Sequence, residues 1–131
     1  MNPTEHDQLV HLATEACDMA YAPYSNFRVG AALLTRQGKI YQGVNVENRS
    51  FGLTICAERT AASSAISEGH KDFTAISIAS RGGVTPCGAC RQFLAEFCDD
   101  LTILLVDVDK ENSVRETTLN KLLPDRFTEL G

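Results

Sequence analysis

No apolar run in the 131 residues approaches the ~20 needed to span a bilayer. The first residues also lack the basic-then-apolar pattern of a secretory leader, because Glu5, His6 and Asp7 stand where it would lie. A cytoplasmic location without membrane contact is expected. A basic stripe is missing as well: the net charge is −5, with acids and bases scattered along the chain. Without clustered cations to neutralise phosphates, no nucleic-acid partner is expected, and a neutral small molecule suits this surface better. There is no internal repeat, low-complexity tract or Pro/Gly-rich linker, and the length suits one domain over 1–131 with one core.

What the chain does have is cysteine in odd number: Cys17, Cys56, Cys87, Cys90 and Cys98. An odd count without a leader argues against a disulfide scaffold. Closely spaced cysteines in such a chain bind metal or do chemistry, which makes Cys56, Cys87 and Cys90 the residues to explain. Cys17 and Cys98 read as small apolar groups in the core. His6, His11 and His70 have no metal spacing and read as surface residues.

The hydrophobic pattern predicts a helix over residues 4–20, with Leu9, Ala13, Ala16 and Ala20 on one face. Pro23 then breaks it. Residues 29–35 and 39–46 read as a hairpin turning at Gln37-Gly38. An alanine-rich helix is expected over 54–68, stopped by Gly69. A third strand covers 73–80, followed by a turn at Arg81-Gly82-Gly83. Thr85-Pro86 reads as an N-cap and first helical residue, opening a helix to Phe97 that packs through Phe93, Leu94 and Phe97. Residues 101–108 form an apolar strand covered on both faces. A short strand over 113–117 and a helical turn over 119–123, ended by Pro124, complete the chain. This order predicts a layered α/β domain with a mixed sheet, in which the two cysteine-bearing helix N-termini meet at one end.

Cys87 and Cys90 stand three apart at a helix start, so both sulfurs project from one face and can chelate one ion. Cys56 can supply a third thiolate. Three protein ligands leave one tetrahedral position open, which is the arrangement of catalytic zinc. Glu58, two residues from Cys56, is better placed beside the metal than on it, where it can move protons. Zinc with three thiolates and a hydroxide carries about −2, which helix N-termini (roughly +0.5 each) and Arg59 can offset. A redox pair would leave Cys56 and Glu58 idle. A structural zinc would need a fourth ligand, and neither Cys17, Cys98 nor any histidine lies at paired spacing.

Five segments then carry a resemblance: Tyr21-Ala-Pro-Tyr-Ser-Asn-Phe-Arg-Val-Gly-Ala-Ala-Leu33, Asn45-Val-Glu-Asn48, Cys56-Ala-Glu-Arg-Thr60, Pro86-Cys-Gly-Ala-Cys-Arg-Gln92 and Leu122-Leu-Pro-Asp-Arg-Phe127. In order and spacing they resemble the cytidine deaminases of the short homotetrameric type, over nearly the whole chain. Three cysteines, rather than one histidine and two cysteines, separate the chain from deaminases of free cytosine, deoxycytidylate and nucleic acids. The resemblance implies a three-layer α/β/α sandwich with a mixed five-stranded sheet. It also implies one Zn2+ per subunit on Cys56, Cys87 and Cys90, and conversion of cytidine and 2'-deoxycytidine to the uridines and ammonia in pyrimidine salvage.

By the same resemblance a zinc-activated water attacks C4 of the pyrimidine, while Glu58 protonates N3 and then the departing amine. Asn45 and Glu47, two apart on an extended segment, share a face and reach the ribose 3'-hydroxyl. Val46 between them turns into the core and contributes backbone. Alone, that pair would read as a polar strand end capping the next turn. Ala57 belongs to the substrate site, Phe27 packs against the base, and Phe127 enters a neighbouring subunit's site. Arg91 reads as structural or interfacial. Phe51 stands where the family often has tyrosine, and Arg49 where small residues are frequent. The competing readings are a deaminase of a modified cytosine nucleoside, such as a nucleoside antibiotic, and a zinc-binding module without catalysis.

Overall fold

The computed structural model describes residues 1–128. Helix α1 (Pro3–Cys17) opens on Asn2, whose side chain accepts from the Glu5 amide while the Glu5 carboxylate accepts from the Asn2 amide. This capping box satisfies two amides that the first turn would otherwise leave unpaired. The helix ends three residues earlier than its apolar pattern suggests. Tyr21 is drawn into a backbone bridge, donating to Asn45 O and accepting from Glu47 N.

Strands β1 (Gly30–Thr35) and β2 (Ile40–Val44) form the expected hairpin. They are followed by a 3-10 turn (Phe51–Leu53), α2 (Ala57–Ser67), β3 (Phe73–Ser80), α3 (Gly88–Ala95), β4 (Thr102–Asp107), β5 (Ser113–Thr118) and α4 (Leu119–Leu122). The five strands make one sheet in the order β2-β1-β3-β4-β5. Only β3 and β4 run parallel, joined through α3; the other neighbours are antiparallel. The mixed sheet is the expected one.

Alternation along the strands sorts the core into two layers. Ala32, Leu34, Ala75, Ala79, Leu104 and Val106 face α1, where Leu9, Ala13 and Cys17 cover them. Ala31, Leu33, Ile76, Ile78, Ile103 and Leu105 face the other way, against Ala57, Ala61 and Ala65 of α2, Leu94 of α3 and Leu119 of α4. The result is a three-layer α/β/α sandwich, and β4 is buried on both faces as its sequence implies. Small residues bring the layers close. A Cβ on Gly43 of β2 would lie 2.4 Å from both Ala57 O and Ala61 N of α2.

Two helix starts also differ from expectation. Helix α2 starts at Ala57 rather than Thr54, because Ile55 bridges Val46 and Cys56 takes the N-cap in an extended conformation. Helix α3 starts at Gly88: Cys87, not Thr85, is its N-cap (φ −66°, ψ 166°), so Pro86 precedes the helix instead of opening it. The Arg91 side chain holds residues 85–86 in that loop by donating to Pro86 O, Thr85 Oγ1 and Leu122 O. The same helix stops at Ala95, and Phe97 O accepts from Phe73 N at the start of β3. Among the described residues, no helix is long and apolar enough to cross a membrane.

Candidate active site

The register decides what gathers at one end of the sheet. Gly30, at the start of β1, pairs with Val44 at the end of β2 and with Ala79 near the end of β3. Phe27 and Val29, just before β1, Asn45, just after β2, and the loop leaving β3 toward Cys87 therefore meet at that end. The N-terminus of α2 arrives at the same place because Gly43 lets the helix lie against β2.

Cys56 and Cys87 are the N-cap residues of α2 and α3, and Cys90 lies one turn into α3, fully buried. Their three Sγ atoms lie within 4.8 Å of one another, with Cys56 and Cys87 3.9 Å apart. Two thiolates on a tetrahedral zinc, with Zn–S near 2.3 Å, stand about 3.8 Å apart, so the cluster fits that ion. The polarity of the site fits it as well. The Cys56 thiol is pulled down to about 5, by hydrogen bonding with Cys90 first and by the Arg59 guanidinium and Cys87 after it. Cys90, the other half of that hydrogen bond and buried, is held up. Zinc binds such sulfurs as thiolates, so loading the site releases their protons. Arg59 Nη2 donates to Cys56 Sγ at 3.5 Å.

Glu58 sits in the first turn of α2 and is 5% exposed. Burial pushes its carboxyl up to about 7, and charge on Cys56 works in the same direction. A carboxyl that titrates near neutrality can both take and return a proton. Beside it opens a cavity of about 220 Å³, lined by Phe27, Val29, Asn45, Thr54, Cys56, Ala57, Glu58, Ile78, Val84, Thr85 and Cys87.

Six of the residues singled out from the sequence thus share one cavity: Phe27, Asn45, Cys56, Ala57, Glu58 and Cys87. Asn45 stands there as a brace: its Oδ1 accepts from Val29 N at 2.9 Å and its Nδ2 donates to Phe27 O at 2.8 Å. Glu47 is buried but outside the lining, and its carboxylate accepts from the Tyr24 and Ser25 amides and from the Ser25 hydroxyl. Those bonds, the hydroxyl's first, hold its carboxyl below the ordinary range against the opposing effect of burial. Within this chain Glu47 caps the turn at residues 24–25.

Val46 corrects an expectation. It is 38% exposed rather than turned into the core. Asn45 and Glu47 are the inward pair, so alternation sends Val46 outward while its backbone bridges Tyr21 and Ile55. Phe127 is 63% exposed and lies away from this cavity, in a groove with Arg36, Lys71 and Arg126. Val84 and Thr85 line the cavity although nothing in their residue types marks them; their only signal is adjacency to Pro86-Cys87. Thr54 and Ile78 are likewise unmarked.

Comparison with known proteins agrees with this geometry. The profile of the cytidine and deoxycytidylate deaminase zinc-binding region matches residues 3–106. A probable cytidine deaminase of Dictyostelium discoideum is 49% identical over 98% of this chain and 88% of its own. The crystal structure of cytidine deaminase from Burkholderia pseudomallei superposes with a TM-score of 0.87 at 46% identity, covering 93% of this chain and 98% of that one. A blasticidin-S deaminase of Bacillus cereus is more distant, at 33% identity over 92% of this chain and 91% of its own. With the three sulfurs, the buried carboxyl and the cavity already in place, these matches mean that the chain belongs to the cytidine and deoxycytidylate deaminase family, whose zinc-binding region it carries.

Proposed function

We propose that this chain is a cytidine deaminase, hydrolysing the 4-amino group of cytidine and 2'-deoxycytidine to give uridine or 2'-deoxyuridine and ammonia. The observation that carries the reading is the buried Glu58, which stands beside the three-sulfur cluster at the wall of a small cavity. Cys56, Cys87 and Cys90 hold the zinc, which when bound supplies Lewis acidity toward water.

Glu58 does the proton work. Its carboxylate accepts a proton from the attacking water and delivers it to N3 of the pyrimidine as C4 becomes tetrahedral. It then passes the remaining proton of that water to the amine, which leaves as ammonia while C4 becomes a carbonyl. One water enters and one ammonia departs, so the balance closes. Arg59 offsets the charge of the thiolates through Cys56. The Phe27 ring packs against the base, the Ala57 backbone lies beside it at the start of α2, and Val46 contributes only backbone nearby.

Asn45 and Glu47 receive the ribose 3'-hydroxyl. Glu47 supports this because its carboxylate stays ionised and keeps acceptor capacity beyond the turn it caps. Phe127 completes a neighbouring subunit's site in a homotetramer. Its exposure, and that of Met19, Phe51, Leu53 and Ile55, supports such an assembly, since large apolar side chains seek cover. The whole chain works as one domain, in the cytoplasm, where its unpaired cysteines stay reduced. Salvage of pyrimidine nucleosides is the role that follows.

The test is the ultraviolet absorbance change on mixing zinc-loaded protein with cytidine, with cytosine and cytidylate in parallel. Turnover of cytidine, lost in Glu58→Gln, is the expected result. No turnover of cytidine or deoxycytidine by fully metallated protein would overturn the reading, and turnover of blasticidin S alone would favour a modified nucleoside as substrate.

A further inference from the structure

We infer that Arg81 is a positioning residue of the substrate cavity, holding the Phe27 ring in the pose in which it walls that cavity. The inference rests on the reading of Phe27 as the residue that packs against the base. Arg81 is not in the cavity lining and belongs to none of the segments that carry the family resemblance. Its guanidinium carbon lies 5.8 Å from the centre of the Phe27 ring, and its Nη2 donates to Asn26 O at 3.3 Å. No ion pair competes for this cation among the described residues.

The two ends of this contact differ in what already holds them. The Phe27 backbone is pinned on its own side: its amide donates to Ser25 Oγ at 3.0 Å and its carbonyl accepts from Asn45 Nδ2 at 2.8 Å. Asn26 before it sits in the left-handed region at φ 61°. These bonds hold the backbone, and neither acts on the half-buried ring itself. On the Arg81 side the backbone of the turn is held from several directions. Val108 and Gly83 donate to Ser80 O, Val84 N donates to Ser80 Oγ, and Gly82 N donates to Asp107 Oδ1. The turn that carries Arg81 is thus locked to the ends of β3 and β4, and the same turn delivers Val84 to the cavity wall. A cation carried by that turn and set over the face of the ring adds an electrostatic restraint on it.

The expected effect falls on substrate binding and spares the chemical step, because Arg81 reaches neither the sulfurs nor Glu58. Arg81→Met, which keeps an apolar stem and removes the charge, raises KM for cytidine about two- to fivefold with kcat and zinc content unchanged. Arg81→Lys, which returns a cation, restores most of the loss. In a Phe27→Leu background, which has no ring to hold, Arg81→Met changes KM no further. If Phe27→Leu raises KM and Arg81→Met does not, the inference is wrong while the role of Phe27 stands. If Phe27→Leu leaves KM unchanged, the base-packing reading fails and takes the inference with it. A parallel fall of kcat and thermal stability in Arg81→Met that Arg81→Lys does not repair would make Arg81 an ordinary structural residue and also overturn it.

Discussion

The sulfurs of Cys56 and Cys87 lie 3.9 Å apart although 31 residues separate them in the chain. Each caps a different helix, so the pair closes only when both helices are seated on the sheet. Zinc affinity and folding are therefore coupled. Replacing either residue by serine is expected to abolish stoichiometric zinc, measured by elemental analysis after dialysis, and to lower the unfolding temperature of the zinc-loaded protein. A chelator is expected to lower the wild-type melting temperature toward that of the serine variants.

Removal of the Glu58 carboxylate separates metal binding from turnover. Glu58→Gln keeps the shape of the side chain and the three thiolates. It is expected to retain full zinc and lose about 10²–10⁴-fold in kcat for cytidine. Steady-state kinetics beside metal analysis distinguishes this from a zinc-binding module, for which the substitution would be silent.

Glu47 predicts how stability falls in acid. Its carboxyl is held below the ordinary carboxylate range when folded and titrates near about 4.3 when unfolded. The stabilisation by this group is therefore fully present above about pH 4.3 and is lost as pH falls through the lower folded value. Urea midpoints of wild type and Glu47→Gln, measured from neutral pH downward, are expected to differ most near neutrality and converge in acid. A gap that stays constant through that range would assign the stability difference to shape rather than charge.

Gly43 predicts a steric lesion at a distance from the chemistry. An added methyl would meet Ala57 O and Ala61 N at 2.4 Å, and both are backbone atoms that cannot rotate away. Gly43→Ala is expected to cost about 1–3 kcal/mol in unfolding free energy. Because the helix it displaces begins with Cys56-Ala57-Glu58, kcat is expected to fall even at temperatures where the protein stays folded.

Much of this was legible from local pattern. The apolar run over 101–108 declared a strand covered on both faces, and the three-residue step from Cys87 to Cys90 declared a chelating helix start. The misread positions share one cause. Thr85-Pro86 has good local chemistry for a helix start, yet Arg91 ties those residues to Leu122 near the far end of the chain, and Cys87 takes the cap. Val46 has the residue type of a core position, but its bridges to Tyr21 and Ile55 set which face is inward. Arg81 showed only a turn, since its partners Asn26 and Phe27 lie on another loop.

Residue type and short spacing alone settled the chemistry available to this chain: three soft donors, one acid, and helices to present them. Those properties depend on neighbours one turn away. How the groups stand toward each other was decided by packing: which sulfurs meet, how far Glu58 is buried, and which side of residues 45–47 faces in. A sheet in the order β2-β1-β3-β4-β5 brings residues 27, 45, 56 and 87 to one end. The free energy that holds them there comes from burying both faces of that sheet, a quantity that belongs to the whole fold and to no single segment.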